Sequence, residues 1–136
     1  MLLPTYRRDL DAEALTALVE DLAAAPERWR DLVCHRPDAR TYAQLHRDDH
    51  VGVWLICWMN DHDTGFHDHD LSAGALSVVR DAVDVGGGEP AVTLHAYSPP
   101  LWRMGAYEVS PDGTLRRHSM SYAEELRPLD EGAIAA

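Results

Sequence analysis

Lysine is missing from this chain, and all 12 of its basic residues are arginines. No side-chain amine is therefore available for Schiff-base or amine-nucleophile chemistry, which removes a class of enzymes. Cysteine is almost as scarce. Cys34 and Cys57 form no CxxC pair and fit neither a disulfide framework nor a zinc knuckle, so they read as apolar filler in a reducing compartment, and the expected location is cytoplasmic. Blocks of basic residues are also absent. Acidic residues outnumber basic ones 23 to 12 and the formal charge is -11, which makes nucleic acid and anionic membrane poor partners. The longest apolar run, Val51 to Met59, has the length of a strand and not of a membrane span. The amino terminus reaches charge at Arg7 with no apolar core behind it, unlike a secretory signal.

What is present reads as one folded domain over residues 1–136, with a helical part at 1–36, a β part at 37–122 and a tail at 123–136. Leu10, Ala14, Leu18 and Leu22 recur every four residues with Leu15 and Val19 beside them, which predicts an amphipathic helix capped by Asp9 or Asp11. Pro26 suits the start of a second short helix in which Trp29, Leu32 and Val33 share a face. After Pro37 the period becomes strand-like. Thr41 to Arg47, Val51 to Met59 and Gly74 to Val79 read as strands, the first two joined by an Asp48-Asp49-His50 turn. Gly86 to Pro90 reads as a turn or short linker. Beyond it Ala91 to Ser98 alternates, with Thr93, His95 and Tyr97 on one side and Val92, Leu94 and Ala96 on the other. Met104 to Val109 and Thr114 to Met120 flank Ser110-Pro111-Asp112-Gly113 as a β-hairpin.

Chemistry concentrates in the histidines. His67 and His69 are two apart, so on an extended strand both imidazoles project from one face, close enough to chelate one metal ion. His95 faces the same way as Tyr97 on a later strand. Neutral imidazoles with open coordination positions suit Fe(II), Zn or Ni. Amidohydrolase barrels need about 250 residues and do not fit this length. The metallo-β-lactamase pattern His-x-His-x-Asp fails at Leu71, and a carbonic-anhydrase-like site requires a far longer chain. The residues without such a pattern, His35, His46, His50 and His118, read as solvated or packed.

Trp58 through Leu76, with His62, His67 and His69 inside it, and Val92-Thr93-Leu94-His95-Ala96-Tyr97-Ser98-Pro99-Pro100-Leu101 together resemble the bacterial branch of the cysteine dioxygenase family. The similarity extends over about residues 42–109. That resemblance implies a mainly β, cupin-like jelly-roll barrel with N-terminal α-helices. It implies a non-haem Fe(II) thiol dioxygenase that adds both atoms of O2 to the sulfur of a small thiol, cysteine or 3-mercaptopropionate, giving the sulfinic acid. Carried over position by position, it makes His67 and His69 two of the three iron ligands. His95 and Tyr97 become the pair that positions a phenol beside the bound thiol, with Thr93 keeping the hydroxyl that a serine supplies in the family.

Three positions depart from the family's pattern. Several strands, one bearing the third iron ligand, are absent between about Val83 and Gly86, so the barrel is expected to be incomplete and the third ligand is unassigned, with His95 or His62 as candidates. Gln44 stands where cysteine-specific members carry the Arg that pairs with the substrate carboxylate. It is the expected substrate-binding residue, and an amide lacks the bidentate cationic fork. Gly74 occupies the place of the crosslinking Cys of animal members, so no thioether to Tyr97 is expected. The alternative to a working enzyme is a truncated cupin that binds metal loosely or survives as a folded remnant, without turnover.

Overall fold

Asp11 starts the helix. Its carboxylate accepts the backbone N–H of Ala14 at 2.8 Å, and helix α1 runs Ala12–Ala23 in the computed structural model, which describes residues 3–59, 67–80 and 91–121. Asp9, the other candidate cap, binds the His50 ring at 2.8 Å instead. The buried stripe is Leu15, Val19 and Leu22, with Ala14 and Leu18 at its margin, so the helix is rotated slightly from the Leu10-Ala14-Leu18-Leu22 line. The second α-helix does not form. Two 3-10 turns, Pro26–Arg28 and Arg30–Leu32, replace it, and Trp29 between them has φ -141°, which interrupts helical geometry. Trp29 donates its indole N–H to the Leu22 carbonyl, which also accepts the Ala25 N–H, at the end of α1. Val33 packs with Trp29 against the core, but Leu32 points outward and is exposed.

Among the described residues seven strands follow, six of them, all but the third, where the sequence pattern predicts a strand. β1 is Thr41–Arg47, β2 Gly52–Trp58, β3 His67–Asp68, β4 Ala73–Arg80, β5 Ala91–Ser98, β6 Arg103–Val109 and β7 Leu115–Ser121. They form two antiparallel sheets, one ordered β1-β2-β5-β4 and one β3-β6-β7. The architecture is mainly β with an N-terminal helix, as in a cupin-like β fold. At the β1–β2 turn, Asp48 accepts the backbone N–H groups of Tyr6, His50 and Val51 and the His46 ring. Burial pushes this carboxyl up, but those donors outweigh it and hold it well below the usual carboxylate range.

Cross-strand register decides what each face of the larger sheet does. Val53, Leu55 and Cys57 of β2 pair with Ala96, Leu94 and Val92 of β5, and together they pack on α1 as the main core. The alternate residues turn the other way. Trp54, Ile56, Tyr97, Leu101 and Met104 form a second apolar cluster that joins the two sheets. β2 is thus covered on both faces, which explains its unbroken apolar run. Cys57 is buried filler as expected, whereas Cys34 is exposed in the segment before β1. Among the described residues no helix is long and apolar enough to cross a membrane. The expected linker at 86–90, the break between 83 and 86, the tail at 123–136 and His62 lie outside the described residues.

Candidate active site

β5 presents Thr93, His95 and Tyr97 on the face turned away from α1, and its neighbours decide what surrounds them. Gly74 and Leu76 of β4 pair with Tyr97 and His95, while Ile56 and Trp54 of β2 pair with Thr93 and His95. A line of hydrogen bonds runs along this face. The Trp58 indole N–H donates to Thr93 Oγ1 at 2.7 Å, Thr93 Oγ1 meets His95 Nε2 at 2.7 Å, and His95 Nδ1 meets the Tyr97 hydroxyl at 3.1 Å. A neutral imidazole has one donor and one acceptor nitrogen, so the line has two self-consistent directions. With the proton on Nδ1, His95 donates to the Tyr97 oxygen and the phenol proton takes no part in this bond. With the proton on Nε2, Tyr97 donates to His95.

His67 and His69 arrive from the other sheet. β3 is only two residues long, and the chain turns at Asp70, whose φ of 56° lies in the left-handed region. The two imidazole centroids are 5.0 Å apart, and the His69 ring stands edge-on to Tyr97 at 4.8 Å. Asp68, between them, faces away and is clamped. Its carboxylate accepts both Nε and Nη2 of Arg117, the Tyr107 hydroxyl, and the backbone N–H groups of Gly105 and Asp70. The Arg117 guanidinium first, then the Tyr107 hydroxyl, hold this carboxyl well below the usual carboxylate range. The short His-x-His segment is thereby fixed to β6 and β7.

Burial, and then the proximity of the other two imidazoles, depresses His95 to about 4. Burial first and His67 second also lower His69. Both rings are neutral at pH 7 and can act as lone-pair donors. Gly74 sits directly beneath Tyr97, where a Cβ would lie 3.0 Å from the phenol ring. A side chain at position 74 would require the ring to shift by a few tenths of an ångström.

A cavity of about 400 Å³ is lined by residues of both sheets, including His67, His69, Thr93, His95 and Tyr97. The structure thus brings together every described histidine and hydroxyl singled out from the sequence at this site. Gln44 is not among the described lining residues. It shares the sheet face, but it pairs with Trp54 and Trp54 pairs with His95, so it sits two strands away, roughly 10 Å by backbone spacing, and is exposed. Arg40 and Trp58 do line the cavity and were not anticipated. The available signal was the period-two series Arg40, Tyr42, Gln44, which puts Arg40 on the same face just ahead of β1.

The described donors fit part of an iron site. His67 and His69 stand side by side and line one cavity, which suits two imidazole ligands to Fe(II). His95 has both ring nitrogens engaged by Thr93 and Tyr97. Among the described residues, no group of three His, Cys, Asp or Glu could hold a metal ion.

A cupin-like antiparallel β fold with a histidine-lined cavity between its sheets defines the class. A family model described as cysteine dioxygenase type I matches residues 2–84, more than half of the chain, and the chain belongs to that family. The matched range includes Arg40, Gln44, His67, His69 and Gly74, and it ends before Thr93, His95 and Tyr97. No curated protein matches the chain.

Proposed function

We propose that the chain is a thiol dioxygenase that converts a small thiol and O2 to the sulfinic acid, with Fe(II) held by His67 and His69. The reaction balances as R–SH plus O2 giving R–SO2H, both oxygen atoms ending on sulfur. Bound Fe(II) supplies the electron-transfer chemistry that lets O2 react with a thiolate. The observation that carries the reading is the placement of Tyr97, the end of a fixed hydrogen-bonded line, 4.8 Å ring to ring from His69.

The chain's own residues do the rest. Trp58 and Thr93 hold His95 in place through its Nε2, and the tautomer of His95 decides whether Tyr97 donates to it or accepts from it. With Nδ1 protonated, the Tyr97 hydroxyl accepts from His95, and turning its own proton toward sulfur or oxygen in the cavity would orient the reacting thiolate. Ile56, which is buried, covers part of the wall with apolar surface, which limits water on that side of the sulfur. Protein loaded with Fe(II) without air is expected to consume O2 and form sulfinate when given 3-mercaptopropionate or cysteine, and His67→Ala is expected to abolish this. Equal rates for the two proteins would contradict the proposal.

One observation favours a second reading, a cupin-like domain that holds metal loosely and has no turnover. It is that no third ligand joins His67 and His69 among the described residues. Folded wild-type protein that takes up no O2 with either thiol would establish this second reading.

A further inference from the structure

Among the described residues four strands stand at the edges of the two sheets, and three of them are blunted against further pairing. β1 is broken by a bulge between Gln44 and His46 and ends at Arg47, β3 is two residues long, and β7 carries Arg116, Arg117 and His118 in succession. β4 has none of these devices. It pairs with β5 in unbroken register from Ala73 to Arg80, contains no proline and no acidic residue, and among the described residues no strand lies beyond it. Ala75 and Val79 pack on the core, whereas Leu76 and Val78, on the cavity face, are exposed. A long, regular, apolar edge of this kind is a template for another strand, since its outer row of backbone N–H and C=O groups can pair with one.

We propose that β4 pairs with β4 of a second copy of this chain, antiparallel about a two-fold axis, so that the two four-stranded sheets become one. The strand is complementary to itself about Ser77. With Ser77 opposite Ser77, Leu76 stands opposite Val78 on the cavity face and Ala75 opposite Val79 on the core face, and each apolar pair occurs twice. Charge selects the same edge. The chain has 23 acidic residues against 12 basic ones, so two copies repel over most of their surface, and β4 lets them meet without an acidic residue on either strand. The pairing closes at two copies, because each edge is consumed by the other. Leu76 also lines the cavity, so Val78 of the second copy extends the apolar wall there. The inference rests on the strand edges and is independent of metal, thiol and O2.

Sedimentation equilibrium of the full chain over a range of concentrations tests this. Wild type is expected to pass from monomer to dimer as the concentration rises. Val78→Lys is expected to weaken the dimer by at least about tenfold, because it sets an ammonium group against Leu76 at two places in the interface. Val109→Lys changes a valine of similar exposure, 70% against 62% for Val78, on the β6–β7 hairpin, and is expected to dimerise as wild type does. Amide hydrogen exchange on wild type needs no variant and serves as the test should Val78→Lys not fold. Protection of β4 is expected to grow with protein concentration, while that of β1 stays constant. A monomer at every concentration, a dimer that Val78→Lys leaves unchanged, assembly beyond two copies, or β4 exchange independent of concentration would overturn the inference.

Discussion

On the face of the larger sheet that meets α1, Val53, Leu55, Cys57, Val92 and Leu94 are between 0% and 2% exposed. On the opposite face, one residue along each strand, Leu76 is 57% and Val78 62% exposed beside Thr93 and His95. The same four strands build both faces, because period-two alternation lets one strand serve two environments. Only one face needs sealing for the sheet to hold. The helix seals that face, and the other is left able to keep polar groups in a cavity. The exposed apolar side chains of β4 lie at the sheet edge, next to the point at which the family resemblance implies that further strands are absent.

The contrast can be broken from either side. Leu55→Ala, on the sealed face, is expected to cost about 3–4 kcal/mol of unfolding free energy, read from urea denaturation, because a fully buried leucine leaves a cavity behind. The second expected effect comes from pH. His95 is depressed to about 4 in the folded protein, against 6.5 for a free imidazole. Between those values the unfolded chain takes up the proton and the folded chain does not. Stability of the metal-free protein is therefore complete above about pH 6.5 and falls, as the pH drops toward 4, by about 2–3 kcal/mol. Urea midpoints of wild type and His95→Gln across that range check the sign and size, the variant sloping less than wild type because only the smaller contribution of His69 remains. The smallest effect is expected at Leu76→Ala, on the open face, where less than about 1 kcal/mol should be lost because the side chain is already half in water.

Local chemistry made much of this legible in the sequence. The four-residue leucine spacing located α1, the alternation in Ala91 to Ser98 separated the core side of β5 from its cavity side, and the His-x-His spacing located the imidazole pair. The misses arise where distant contacts decide. Asp9 and Asp11 are equally good caps by composition, and it is the His50 ring, far along the chain, that takes Asp9 away. The Trp29 indole reaches back seven residues to the Leu22 carbonyl, a contact that propensity does not register, and a pair of 3-10 turns stands where propensity alone predicted a helix. The Asp68 clamp depends on Arg117, brought alongside only by the pairing of β3, β6 and β7. Gln44 was the expected substrate-binding residue, yet Arg40 and not Gln44 is among the described residues that line the cavity. Position along a strand gives the face a residue occupies, but strand order decides how far across the sheet it stands from β5.

Metal retention tests the central claim most directly, since it interrogates His67 and His69 without requiring the right thiol. After loading with Fe(II) in the absence of air and desalting, iron per chain is expected near one for wild type and near zero for His67→Ala, both shown to be folded by circular dichroism. Near zero in both proteins would contradict the account, because the imidazole pair would then not be a metal site in this chain.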